Sequence, residues 1–142
     1  MEDTLISFET AKLAKEKEFL EISNYPLWFH SNGVEASDFE DLWNVKKSEY
    51  FKHECILRPT QSLLQKWLRE VHNIYVESYH DLTSDGTKIQ FYTSWGFLQQ
   101  KDKNGNRNVN GWYDEYNDWK TYEEALEFGL QEGLKLLSDE FY

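Results

Sequence analysis

The chain has one cysteine, one methionine and two prolines in 142 residues. A lone Cys55 cannot close an internal disulfide, so stability has to come from packing. No stretch approaches the roughly 18 consecutive apolar residues that a bilayer-spanning helix requires, and mean hydropathy is −0.79. Met1-Glu2-Asp3 lacks the positive flank and apolar run of a signal peptide, so the expectation is a protein of a reducing cytoplasm with no membrane association. Bases are also scarce, 15 Lys and Arg against 26 Asp and Glu, for a net charge of −11. Like charge repels phosphate, which argues against direct binding of a nucleic-acid backbone.

Catalytic signatures are missing too. The sequence contains no G-x-S-x-G, no G-x-x-x-x-G-K-[ST], no H-E-x-x-H and no Cys-x-x-Cys. The expectation is a protein that is not an enzyme and carries no cofactor or metal. No Pro/Gly-rich tract or internal repeat marks a linker, so residues 1–142 read as a single domain, with 1–58 an amino-terminal helix and irregular wrap and 59–137 the core.

What the chain does have is aromatic side chains: six Trp, nine Tyr and nine Phe, 17% of all residues. A chain of this length buries roughly two thirds of its unfolded surface, and large rings dominate both that core and any recognition surface. The acidity is uneven. Residues 1–57 hold 12 acids and 6 bases, residues 58–120 hold 8 of each, and residues 121–142 hold 6 acids and 1 base.

Ser7 is positioned to cap a helix from Phe8 to about Leu20, with Glu9 in its first turn. Its apolar face is narrow, which predicts a surface helix that docks late or onto a partner. Between residues 23 and 58 the pattern is poor. Tyr25-Pro26-Leu27-Trp28-Phe29 reads as a short strand, Ser31-Asn32-Gly33 as a turn, and Ser37-Asp38-Phe39-Glu40 as a capping box before either a short helix or an extended segment.

The pattern then sharpens. Thr60 caps a helix whose Leu63, Leu64, Trp67, Leu68 and Val71 form one stripe, closed by His72-Asn73. Ile74 to Leu82 and Lys88 to Gln99, joined by Ser84-Asp85-Gly86-Thr87, predict a β-hairpin. Asn104-Gly105 marks a further turn before a third strand, Asn108 to Tyr116, interrupted by Gly111. Thr121-Tyr122-Glu123-Glu124 is a capping box opening a helix on which Ala125, Leu126, Gly129, Leu130, Gly133, Leu134 and Leu137 share a face. Two glycines in that stripe each cost about 1 kcal/mol of helix propensity, which predicts close approach of the helix to the sheet. The fold class expected is α+β: an antiparallel sheet of about three strands packed on two amphipathic helices, in α-β-β-β-α order over residues 59–137.

The runs Pro59 to Ile74 and Thr121 to Leu137, with Phe8-Glu9-Thr10-Ala11-Lys12-Leu13-Ala14-Lys15-Glu16-Lys17, resemble a group of short uncharacterised proteins of Bacteroidetes genomes and their phages or prophages. That group carries no assigned activity, so the resemblance implies only a setting on a mobile genetic element. The helix, three strands, helix layout is also similar to the double-stranded-RNA-binding domain. That family straddles phosphates with lysines at the start of its second helix, where this chain has Glu123, Glu124 and Glu127. The similarity therefore implies architecture alone.

Among candidate sites, Asn106-Arg107-Asn108-Val109-Asn110-Gly111-Trp112 matches the first half of an EF-hand loop. It departs at the first position, Asn106 in place of Asp, and at the twelfth, Asn117 in place of a bidentate Glu, so an Asn/Gly-rich turn between strands is the preferred reading. His53 and Cys55 would share a strand face, but His30, His72 and His80 have no metal-ligand spacing. His72 reads as a structural contact at a helix end. Two surfaces stand out instead. Trp112, Tyr113, Tyr116 and Trp119 lie where the apolar pattern is weak, and are the candidate aromatic binding surface. Glu123, Glu124 and Glu127 are the candidate acidic surface.

Three functions compete on these grounds. The first is a non-enzymatic accessory protein of a phage or mobile element that binds a protein partner. The second is an acidic mimic of nucleic acid that inhibits a host defence enzyme, which requires Glu123, Glu124 and Glu127 to join carboxylates of residues 35–54 in one surface. The third is a binder of small ligands or glycans through exposed aromatics. Partner identity and oligomeric state have no signature in the sequence.

Overall fold

The computed structural model describes residues 3–19, 28–30, 32–33, 35–36, 55–97, 104 and 113–137. The chain separates into two compact units, Met1–Leu64 and Gln65–Tyr142. The division falls within a helix, where the composition offers no linker to mark it.

In the first unit, helix α1 (Phe8–Glu16) starts as expected: the Ser7 hydroxyl accepts a hydrogen bond from the Thr10 amide at 3.3 Å. It stops earlier than the apolar pattern implies. Glu18 takes a left-handed conformation at φ 63°, the Glu18 amide donates to the Lys15 carbonyl, and the Phe19 amide donates to the Ala14 carbonyl at 2.9 Å. These are the paired bonds of a Schellman cap, which usually recruits glycine because another residue pays about 1 kcal/mol of strain there. Complete burial of Phe19 offsets that strain. The narrow face of α1 does not lie on the surface: Thr10, Ala11 and Ala14 are buried, and the helix packs on strand β3 (Cys55–Leu57).

The amino-terminal third also holds regular pairing, built around the strand expected at Trp28-Phe29, although its partners were not evident in the sequence. Strands β1 (Trp28–His30), β2 (Glu35–Ala36) and β3 form an antiparallel sheet in the order β2-β1-β3. The turn at Asn32-Gly33 is present, and Gly33 needs its freedom twice over. Its φ is +92°, and a Cβ there would sit 3.3 Å from the Phe8 ring. Phe8 meets Phe29 edge-on at 5.3 Å, and the Arg58 guanidinium covers the Phe29 ring at 4.9 Å. The segment Ser37-Asp38-Phe39-Glu40 lies outside the described residues.

Helix α2 (Gln61–His72) is capped by Thr60, whose hydroxyl accepts from the Leu63 amide at 3.2 Å, and Asn73 closes it in the left-handed region at φ 57°. Leu64, Trp67 and Leu68 are buried, but Val71, expected on the same stripe, is 59% exposed.

The second unit is built on the expected sheet. Strands β4 (Ile74–Leu82), β5 (Ile89–Phe97) and β6 (Tyr113–Tyr116) are antiparallel in the order β4-β5-β6. The register runs without a bulge from Ile74↔Phe97 to Leu82↔Ile89. Helix α3 (Tyr122–Lys135) is opened by Thr121, which accepts from the Glu124 amide at 3.1 Å, while the Glu124 carboxylate accepts from the Lys120 amide at 2.9 Å. All seven residues of its apolar stripe are buried.

The stripe glycines set the distance between helix and sheet. A Cβ at Gly129 would fall on Thr93 Oγ1 and 2.8 Å from Val76, and one at Gly133 would meet Val76 at 2.8 Å, Ile74 at 3.4 Å and Leu68 at 3.5 Å. Gly133 is thus where Ile74 and Val76 of β4 and Leu68 of α2 approach α3. The fold is α+β, with three helices among the described residues.

Candidate functional site

Alternation along β6 separates the aromatics that the sequence grouped together. Tyr113 and Tyr116 are three residues apart, so they point to opposite faces of the sheet. Tyr113 stacks on Trp95 at 5.7 Å on the helix side, Trp95 meets Phe128 edge-on at 5.8 Å, and Trp119 packs on Phe128 at 5.2 Å. Trp95 is buried, as its strand position implied. Trp119 and Tyr113 therefore border the packing beneath α3, and Trp112 lies outside the described residues.

Tyr116 belongs to a different assembly. It is directly opposite Tyr92, which is directly opposite Tyr79. The three rings form a row across all three strands on the face away from α3. Tyr79 and Tyr92 stack at 5.1 Å and 24°, and Tyr92 and Tyr116 stack at 4.6 Å and 23°. Cross-strand aromatic pairs of this kind stabilise a sheet by up to about 1 kcal/mol each. The row nevertheless stays in solvent, with Tyr79 40% and Tyr116 54% exposed.

Three carboxylates share this face: Glu77 and Asp81 on β4 and Asp114 on β6, the last accepting a hydrogen bond from the Ser94 hydroxyl. Their field is felt by the phenols. Burial, followed by the charges of Glu77 and Asp114 and the neighbouring phenols Tyr92 and Tyr122, pushes the Tyr79 pKa above its usual 10. Burial, followed by Tyr116, Asp81 and Asp114, pushes Tyr92 up in the same way. Tyr79 and Tyr92 are therefore neutral at physiological pH within an acidic surround.

The hairpin has a second exposed feature. Coverage by α3 ends near Ser78, whose hydroxyl donates to the Tyr122 carbonyl at 2.9 Å. Beyond that point β4 is exposed on both faces, and the directly paired Leu82 and Ile89 are 60% and 61% exposed. The turn that closes this arm is well organised. One Asp85 carboxylate oxygen accepts from the Thr83 hydroxyl at 2.6 Å, the Thr87 hydroxyl at 2.7 Å and the Thr87 amide at 3.1 Å. Those bonds hold the Asp85 pKa down to about 2.

The acidic candidates resolve differently. Glu124 is the capping carboxylate of α3, and Glu123 and Glu127 are half-buried on that helix. The carboxylates of residues 37–54 that would complete a continuous acidic surface lie outside the described residues, as do His53 and all of the Asn106 to Asn117 loop except Tyr113 to Asn117. Among the described residues no three His, Cys, Asp or Glu side chains are grouped to hold a metal ion. His72 sits edge-on to Trp67 at 4.5 Å, and burial lowers its pKa below 6.5.

Tyr79 and Tyr92 were legible in principle. Once Leu82 is paired with Ile89 by the turn between them, strand geometry places Tyr79 beside Tyr92. Tyr116 could be added only with the register of β6, which no local signal sets. Comparison with protein families, curated proteins and solved structures finds no match.

Proposed function

We propose that this chain is a non-enzymatic protein-binding protein, an accessory of a phage or mobile element, whose recognition element is the outer half of the β4–β5 hairpin. The observation that carries this reading is the exposure of large side chains on both faces of a rigidly closed arm: Leu82 and Ile89 on one, Tyr79 and Tyr116 with Tyr92 on the other. Apolar and aromatic groups presented together in this way are the usual composition of a protein interface core. A turn locked by three hydrogen bonds to Asp85 also reduces the ordering cost of association. The resemblance of Pro59 to Ile74 to proteins of prophage genomes supports the mobile-element setting.

Affinity capture from source cells tests the reading, with wild type compared against the Leu82→Thr/Ile89→Thr variant, which preserves strand propensity. A defined partner retained by wild type and lost by the variant is the expected result. Equal recovery by both proteins would refute a binding role for the arm.

A further inference from the structure

Resting on that binding role, we infer that the tyrosine face of the hairpin receives an arginine-bearing, basic segment of the partner protein. The basis is complementarity of charge and ring. On this face the described strands place three carboxylates, Glu77, Asp81 and Asp114, against one base, Lys88, which is paired with Thr83 just beyond the end of β5. A surface with three stacked rings and three carboxylates that form no ion pair among the described residues favours a cation that can also stack.

The stacking geometry narrows the choice of cation. Both faces of the Tyr92 ring are covered by its neighbours, so the row offers the outer ring faces of Tyr79 and Tyr116 at the two sheet edges. These are also the most exposed members of the row. A guanidinium is planar, lies flat on a ring face and presents a fork of N–H donors to a carboxylate, whereas an ammonium is a strongly hydrated point charge. Arginine therefore uses both elements of the face, and lysine only one. The carboxylates that attract it repel phosphate, which denies the same rings to a nucleic acid. A neutral sugar could stack but would leave the charges unused.

The full chain can be tested by fluorescence anisotropy with three labelled peptides of equal length, carrying six Arg, six Lys or six Glu spaced by glycine. The Arg peptide is expected to bind about threefold or more tighter than the Lys peptide, and the Glu peptide not at all. Glu77→Gln/Asp81→Asn/Asp114→Asn should weaken Arg-peptide binding about tenfold, and the single Asp81→Asn variant, at an exposed position, about threefold. Tyr79→Leu/Tyr116→Leu should abolish the preference for Arg over Lys. The charge-matched Glu123→Gln/Glu127→Gln/Glu132→Gln variant, on the opposite side of the sheet, should stay within about twofold of wild type.

Equal binding of the Arg and Lys peptides, or equal weakening by the two charge triples, would overturn the inference by reducing it to attraction by net charge. Loss of partner capture in the Leu82→Thr/Ile89→Thr variant together with no arginine preference would leave the binding role standing and remove only this partner chemistry. If capture and preference both fail to respond to the substitutions, both readings fall.

Discussion

The two faces of the β4–β6 sheet come from the same three strands and obey opposite rules. On the covered face, Val76 and Thr93 lie so close to α3 that only glycine fits above them at position 129. On the open face, stacked tyrosines stand in water among carboxylates. One face has been fitted to a known neighbour, and its side chains are small where the helix comes near. The other displays its largest rings with nothing described above them. The contrast shows that the aromatic richness of this chain serves two ends, and that strand parity, rather than proximity in sequence, decides which ring serves which.

The sharpest way to break the covered face is Gly129→Ala. The added methyl would collide with Thr93 Oγ1, and Thr93 cannot rotate freely because its hydroxyl donates to the Glu77 carbonyl at 3.0 Å. The gain in helix propensity of about 1 kcal/mol is smaller than the overpacking and lost hydrogen bond. A net destabilisation of about 2–3 kcal/mol is expected, read as a lower urea midpoint at unchanged m-value. An unchanged midpoint would mean that helix and sheet are not held at this separation.

That clash was foreshadowed in the sequence, because two glycines in an otherwise good helical stripe signal close approach. The caps at Ser7, Thr60 and Thr121 were equally legible, since each is set by side chains within four residues of the helix start. The β1–β3 sheet was legible only in part: a strand reaching Trp28-Phe29 and a turn at Asn32-Gly33 could be read, but not the pairing. Its strands are two or three residues long, too short for alternation to show, and β3 joins β1 from 25 residues further along the chain. The end of α1 was hidden for a different reason: its cap uses Glu18 where sequence patterns look for glycine, and only the burial of Phe19 accounts for that choice. The candidate site was half legible. Tyr116 was singled out, but it was grouped with Tyr113, Trp112 and Trp119, its neighbours in sequence, instead of with Tyr92 and Tyr79, its neighbours across the strands.

A smaller effect is expected where the two faces meet at the end of the arm. Gly86 has φ +72° and open space around its Cα, so Gly86→Ala would strain the turn without any clash. The expected cost is about 1 kcal/mol by chemical denaturation, with faster amide exchange between Leu82 and Ile89. Gly86→Asn should cost less, because Asn tolerates the left-handed region.

On the open face the expected stability effect is smaller still. Tyr116→Ser removes one stacking partner from Tyr92, on an edge strand that is exposed at every position. It should cost about 0.5–1 kcal/mol. If it instead destabilised as much as Gly129→Ala, the row would be a structural element and not a recognition surface. Alkaline titration gives an independent reading of the same row. The phenols of Tyr79 and Tyr92 have folded pKa values above the ordinary 10, so their contribution to stability is complete below pH 10 and lost as pH rises through the raised values. Asp114→Asn should bring both phenol titrations, followed by ultraviolet absorbance, to lower pH.

The smallest effect is confined to the turn that holds the arm. Hydrogen bonds from Thr83 and Thr87 favour the charged form of Asp85 and lower its pKa from 3.8 to about 2. A carboxyl with a lower pKa in the folded state than in the unfolded chain stabilises that folded state above its unfolded pKa. The contribution declines once pH falls below about 4 and is gone below about 2. The Thr87 amide, which donates to this carboxylate at 3.1 Å, should report the change directly as a chemical-shift titration with its midpoint near pH 2. In Asp85→Asn the titration should vanish and the Thr83 and Thr87 signals should broaden at neutral pH. A midpoint near 3.8 would show the carboxylate unengaged and the arm loosely closed, which would remove the preorganisation on which its proposed role as a recognition element depends.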